Sequence, residues 1–135
     1  MPIKQVVEEI DLKGKRILIV DDNKLNLKVA SKFLSNYNPV IETVESGFEC
    51  IDKIKNGETY DLILMDDMMP KMSGVETLHR LHENPDCNIP TIALTANAIE
   101  GMKEKYLSEG FDDYLSKPID KLELNNVINK YLNKN

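Results

Sequence analysis

A basic excess and long apolar runs are both missing from this sequence, and their absence excludes several function classes at the outset. Seventeen Lys and Arg stand against 23 Asp and Glu, a formal charge of −6. The electrostatic footprint of a phosphate-backbone binder is therefore lacking, and no nucleic-acid partner is expected. The longest uninterrupted apolar stretches, such as residues 17–20 and 62–65, hold four residues, against the roughly 20 a membrane span requires. The first twenty residues carry Glu8, Glu9 and Asp11 and no long apolar stretch, so they do not read as a secretion signal, and no membrane association is expected. Cysteine is scarce. Cys50 and Cys87 lie far apart and fit no metal or redox spacing; in a chain without an export signal they are expected as buried or half-buried thiols in a cytoplasmic protein. The few glycines form no phosphate-cradling motif. Repeats, low-complexity tracts and Gly/Ser linkers are also lacking.

What remains is about one domain: 135 residues with 41% hydrophobic content, enough to bury a core. Short apolar runs alternate with helical patterns. Residues 16–20 read as a strand buried on both faces, followed by a helix with Val29, Ala30, Phe33, Leu34 and Tyr37 on one side and Asn23 as its N-cap. Residues 40–44 are a β-branched second strand. Ser46 and Glu49 form a capping box for a helix with Phe48, Ile51 and Ile54 on its apolar side, stopped by Gly57. The third strand, 62–65, ends at Asp66-Asp67, and a loop with Pro70 and Gly74 leads to a helix bearing Val75, Leu78 and Leu81. A fourth strand over 89–94, a helix over 98–109 closed by Gly110, a short strand at 113–115 and a last helix with Leu124, Val127, Ile128 and Tyr131 complete the pattern. Five β–α units in succession predict parallel strands, right-handed crossovers and helices on both faces, an open α/β sandwich. Ahead of them, residues 1–14 form a leader. Ile3, Val6, Val7 and Ile10 at helical spacing after Pro2 suit a short amphipathic helix, with a linker as the alternative.

In such folds ligands sit at the carboxyl ends of the strands. Asp21 and Asp22 end strand one, Asp66 and Asp67 end strand three, Thr95 ends strand four and Lys117 follows strand five, so all fall on one edge of the sheet. Singly, each reads as a cap or turn residue; together they do not. Clustered carboxylates either carry raised pKa values or bind a cation. All-oxygen ligands in small number suit Mg²⁺, and a carboxylate beside Mg²⁺ with a lysine and a hydroxyl in reach is equipped to accept a phosphoryl group. Other features are bland: His79 and His82 read as an exposed pair, and Met65, Met68, Met69 and Met72 as loop and strand residues rather than a metal box.

Val20-Asp21-Asp22-Asn23, then Leu64-Met65-Asp66-x-x-Met69-Pro70-x-Met72-x-Gly74, then Ala93-Leu94-Thr95-Ala96, then Tyr114-Leu115-Ser116-Lys117-Pro118-Ile119 together resemble the receiver domain of two-component response regulators. The resemblance runs from about Lys15 to Leu132, and the domain is assigned to residues 15–135. It implies a flavodoxin-like (βα)5 doubly wound sandwich with a parallel sheet in the order 2-1-3-4-5. It also implies that Asp66 accepts a phosphoryl group from the phosphohistidine of a histidine kinase or a histidine phosphotransfer protein. Mg²⁺ would be held by Asp22 and Asp66, by Asp21 largely through water, and by the backbone carbonyl of Met68. Thr95 and Lys117 would hold phosphoryl oxygens, and Tyr114 would change rotamer with Thr95, rearranging the surface of helix 4, strand 5 and helix 5. A cis Lys117–Pro118 bond is implied as well. Asp67 departs from the family, in which the residue after the acceptor is normally uncharged; strand alternation points it away from the pocket.

The chain is thus expected to be a signalling phosphoacceptor rather than an enzyme, assisting only its own phosphorylation and dephosphorylation. The alternative is a receiver-fold interaction module that is never phosphorylated. A haloacid-dehalogenase-type hydrolase would need Asp-x-Asp after the strand, and Asp66-Asp67-Met68 offers no Asp at the second position. No output domain is expected within the chain. The 12–18 entry and the Leu94-Thr95-Ala96-Asn97-Ala98 segment resemble receivers fused to hybrid sensor kinases, so a downstream protein or a fused kinase core is the expected further partner.

Overall fold

In a computed structural model that describes residues 10–96 and 101–132, the order is β1 (Arg16–Val20), α1 (Lys24–Ser35), β2 (Val40–Val44), α2 (Gly47–Lys55), β3 (Leu62–Asp66), α3 (Gly74–His82), β4 (Thr91–Thr95), α4 (Met102–Glu109), β5 (Asp113–Ser116) and α5 (Lys121–Tyr131). The five strands form one sheet in the order β2-β1-β3-β4-β5, with every neighbouring pair parallel. This is the flavodoxin-like arrangement expected.

Alternation along the central strands divides the core in two. Ile17, Ile19, Leu62, Leu64, Ile92 and Leu94 pack with α1 and α5 residues on one face. Leu18, Val20, Ile63, Met65 and Ala93 pack with α2, α3 and α4 residues on the other. Both faces are covered, which is why these strands read as unbroken apolar runs. Ile10 and Leu12 are buried in the first cluster, and Leu12 N donates to Tyr37 O at 2.7 Å. The leader pattern over residues 3–9 lies outside the described residues.

The caps follow the sequence reading. Asn23 accepts from Leu25 N and Asn26 N at 2.8 and 3.2 Å. Ser46 accepts from Glu49 N at 3.1 Å, while the Glu49 carboxylate reaches back to Glu45 N at 3.0 Å. Gly110 ends α4 with φ +115°.

Several local expectations shift. The inward face of α1 carries Leu27, Ala30 and Leu34, whereas Val29 is exposed. In α2, Cys50 is buried and Phe48 is exposed. A Cβ on Gly47 would meet Thr77 Oγ1 at 2.0 Å, so small residues occupy that face. β4 starts at Thr91 rather than residue 89, after Pro90, whose carbonyl accepts from Ile63 N at 2.9 Å. The first residues of the helix expected over 98–109 lie outside the described ones. Cys50 and Cys87 are both free, one buried and one half-buried; burial, with a smaller contribution from Cys87, pushes the Cys50 thiol up to about 12.

Candidate functional site

The carboxyl ends of β1, β3 and β4 and the turn after β5 converge. Asp66 continues the parity of Leu62 and Leu64, whereas Asp67 continues that of Ile63 and Met65, so the adjacent carboxylates turn to opposite faces. Asp21 and Asp66 are 1% and 3% exposed, and Thr95 is 1% exposed. Lys117 Nζ lies 2.8 Å from Asp66 Oδ1 and 3.0 Å from Asp21 Oδ2. Its backbone N donates to Thr95 O at 2.8 Å, tying the turn to the end of β4, and the Lys117–Pro118 peptide is cis.

One oxygen from each of Asp21, Asp22 and Asp66 lies within 4.8 Å of the others, the one such group of potential metal ligands among the described residues. Among the described residues, Lys117 is the one ammonium paired with this group, through Asp66 and Asp21. Asp21 Oδ1 accepts from Asn23 N at 2.9 Å. Asp21 Oδ2, though buried and beside Lys117, has no hydrogen bond of good geometry. Burial pushes the Asp66 carboxyl above the usual range, against the opposing pull of the Lys117 hydrogen bond. For Lys117, burial works against the charged form, but the Asp66 and Asp21 carboxylates outweigh it and hold the ammonium above the ordinary lysine value. An incompletely satisfied buried carboxylate oxygen within an all-oxygen, acid-rich cluster fits a hard divalent cation such as Mg²⁺.

Met68 N donates to Asp66 Oδ1 at 3.3 Å, while the Met68 side chain is 76% exposed. The loop after β3 is drawn tight. Gly74 N and Met69 N donate to Asp67 O at 3.0 and 3.1 Å, and a Cβ on Gly74 would meet Asp66 O at 2.5 Å. The β-strand end and the start of α3 approach closely enough that only glycine fits. Tyr114 is half-buried against the second cluster and pairs with Ala93 in the sheet.

The structure brings Asp21, Asp22, Asp66 and Lys117 together as expected, with Thr95 beside them. It turns Asp67 away, also as expected, and gives it partners: Val75 N donates to Asp67 Oδ1 at 3.2 Å and Tyr106 OH donates to Asp67 Oδ2 at 2.9 Å. Sequence reasoning missed Tyr106. It is the buried residue of α4, 2% exposed, with its hydroxyl 3.3 Å from Thr95 Oγ1. Burial, foremost, raises its pKa. The one available signal was a large aromatic alone in the polar stretch Met102-Lys103-Glu104-Lys105-Tyr106-Leu107-Ser108-Glu109. His79 and His82 remain outside the site; His79 pairs with Glu109 Oε1 at 3.2 Å.

The sequence model of the response regulator receiver domain matches residues 17–129. The signal transduction histidine-protein kinase BarA of Escherichia coli is 39% identical over 116 residues, covering 85% of this chain and 12% of that protein. Hybrid signal transduction histidine kinase G of Dictyostelium discoideum is 42% identical over 120 residues, covering 86% of this chain and 4% of that protein. The chain thus spans a small part of the length of these curated relatives. Among solved structures, the receiver domain of a Pseudomonas aeruginosa sensor histidine kinase, with a magnesium ion coordinated in its active-site cleft, superposes with a TM-score of 0.79. The two are 31% identical, over 90% of this chain and 99% of that one. A receiver domain from Saccharomyces cerevisiae, co-crystallised with a histidine phosphotransfer signalling protein, superposes with a TM-score of 0.81 at 27% identity, over 90% of each chain.

Proposed function

The chain belongs to the response regulator receiver family, and from that premise we propose that Asp66 is its phosphoacceptor, with the phosphohistidine of a histidine kinase or histidine phosphotransfer protein as donor. An Asp66 carboxylate oxygen attacks phosphorus, the phosphorus–nitrogen bond breaks, and the electron pair of that bond stays on the departing imidazole nitrogen. The product is an acyl phosphate on Asp66. Asp21, Asp22 and Asp66, with the backbone carbonyl of Met68, would hold Mg²⁺, which supplies neutralisation of the charge gathered on the phosphoryl oxygens. Lys117 supports the same charge with an ammonium already directed at Asp66, and Thr95 supplies a hydroxyl donor.

The observation that carries this reading is the Lys117 ammonium at 2.8 Å from Asp66 Oδ1 beside three converging carboxylates. The domain is not a turnover enzyme in this reading; it assists its own phosphorylation and hydrolysis and reports the result through α4, β5 and α5, with Tyr114 following Thr95. No described helix is long and apolar enough to cross a membrane. The similarity to histidine kinases supports a kinase core as partner, and a cytoplasmic setting is part of the same reading.

Incubation of the full chain with Mg²⁺ and acetyl phosphate tests the assignment. One phosphoryl group per chain is expected, lost on chelation of the metal before reaction and lost in Asp66→Asn. Labelling that persists in Asp66→Asn would move the acceptor to Asp67, and an unlabelled wild type would leave a receiver-fold interaction module.

A further inference from the structure

The tyrosine on α4 ties the acceptor strand's second carboxylate to the hydroxyl at the end of β4. Tyr106 OH lies 2.9 Å from Asp67 Oδ2 and 3.3 Å from Thr95 Oγ1. A phenol has one proton, and an ionised carboxylate accepts only. With the Tyr106 proton directed at Asp67, the proton between the two hydroxyls comes from Thr95. A phosphoryl oxygen is also an acceptor only, so Thr95 must donate in order to hold it. One hydroxyl proton cannot serve both acceptors.

We propose that Asp67 and Tyr106 form a latch that holds the Thr95 hydroxyl on the α4 side in the unphosphorylated domain, and that Thr95 leaves this latch when Asp66 is phosphorylated. Tyr106 is a positioning residue: it acts on the phosphoryl group through Thr95. The inference rests on the phosphoacceptor reading of Asp66 given above. It also gives Asp67 a role, because the carboxylate aligns the phenol so that its oxygen accepts from Thr95.

The latch reaches the rest of the molecule through α4. That helix has eight residues, no side-chain N-cap on Gly101, and Tyr106 as its buried residue. Tyr106 also meets the Phe111 ring edge-on at 5.8 Å, just ahead of β5. Met102 is half-buried in the same core cluster and Glu109 pairs with His79. Tyr106 is thus the buried anchor of a lightly held helix, and a change in the hydrogen bonds at that anchor shifts its seat. Departure of Thr95 removes one of the two side-chain hydrogen bonds of the Tyr106 hydroxyl and leaves the one to Asp67, so the seat of α4 at this anchor changes.

The test uses the full chain with Tyr106→Phe, which keeps the ring and removes the hydroxyl, in wild-type and Thr95→Val backgrounds. Initial phosphorylation by acetyl phosphate with saturating Mg²⁺ is expected to be about three- to tenfold faster in Tyr106→Phe, the equivalent of one net hydrogen bond. In the Thr95→Val background the same substitution is expected to change nothing, an outcome that general loosening of the core would not produce. Scalar couplings across the Thr95 side-chain torsion supply a readout independent of phosphorylation: one rotamer in the unphosphorylated wild type, and averaged rotamers in Tyr106→Phe. Asp67→Asn, which leaves a weaker neutral acceptor for Tyr106, is the second variant and is expected to show a smaller gain in the same direction. Unchanged or slower phosphorylation in both variants, an equal gain without the Thr95 hydroxyl, or a single Thr95 rotamer in Tyr106→Phe would each overturn the latch. If the wild type is not labelled on Asp66, the phosphoacceptor reading fails instead, and the torsional couplings still decide whether the latch exists.

Discussion

Replacing Gly74 by alanine adds one methyl group where the α3 start and the β3 end nearly touch, and its effect separates stability from positioning. The new Cβ would sit 2.5 Å from Asp66 O and 2.9 Å from Asp67 Cα, inside the ordinary contact distance of ~3.5 Å. Both obstacles are backbone atoms, so no side chain can swing aside. The two segments must part by about 1 Å, and overpacking of this kind costs roughly 1–3 kcal/mol. The strain falls on the residue that carries the acceptor carboxylate. Gly74 N donates to Asp67 O at 3.0 Å, so the displacement also pulls on the strand end that aims Asp66 at Lys117. A misplacement of ~1 Å at reacting atoms is worth about a hundredfold in rate. Gly57→Ala is the matched control. Gly57 has φ +90° and nothing within 4 Å of an added Cβ, so it pays only the left-handed backbone penalty, about 1–2 kcal/mol. Urea denaturation and phosphorylation by acetyl phosphate under folding conditions are the two assays. Both variants are expected to lose stability, and Gly74→Ala alone to lose phosphorylation, by at least tenfold. Equal phosphorylation rates in the two variants would refute the argument that this glycine positions the acceptor.

Two further outcomes follow from the structure. Met68 follows Asp66 by two residues, its backbone N donating to Asp66 Oδ1 and its side chain highly exposed. If that apolar side chain flanks the acceptor, as the receiver family implies, it cannot orient a water for attack on the acyl phosphate. Met68→Asn is expected to shorten the phosphoryl lifetime about tenfold, equivalent to ~1.4 kcal/mol, and an equal or longer lifetime with saturating Mg²⁺ would count against it. Away from the site, hydrogen bonds from Arg16 first, then Tyr60, hold the Glu42 carboxyl down at about 2. Its folded pKa is depressed, so its stabilisation is complete above ordinary carboxylate values and is lost as pH falls from about 4.5 toward 2. The Glu42 side chain is 26% exposed, so screening limits the contribution to on the order of 1 kcal/mol. Glu42→Gln is expected to flatten that part of the acid limb in chemical denaturation measured against pH; an unchanged slope between wild type and variant would refute it.

Much of the fold was legible because it rests on local pattern. Runs of apolar residues at 17–20 and 62–65 announced strands covered on both faces, since βα crossovers bury both sides of a parallel sheet. Asn23, Ser46 and Gly110 marked helix ends because capping is a matter of a few adjacent residues. Asp21, Asp22, Asp66, Thr95 and Lys117 could be placed on one edge because every strand of a parallel sheet ends on the same side. The motif spacing around these residues was then enough to identify the receiver family.

Other features depended on which surface each helix meets, and periodicity does not encode that. Val29 and Leu27 are both apolar on α1, yet only contact with β1 and α5 residues selects Leu27 for the core. On α2, Gly47 lies against Thr77 of α3 and Cys50, three residues on, is buried, while Phe48 turns outward. The contact of Tyr106 with both Asp67 and Thr95 joins residues 39 and 11 positions apart. No local signal carries it, because it exists only once β3, β4 and α4 are packed. The sequence by itself determined the element order, the parallel sheet and the edge on which the acid cluster, hydroxyl and lysine gather, since each follows from short-range pattern and strand direction. Tertiary packing alone decided that Lys117 reaches Asp66 and Asp21 together and that Asp67 is engaged by a buried tyrosine, because those contacts depend on distances between elements far apart in the chain.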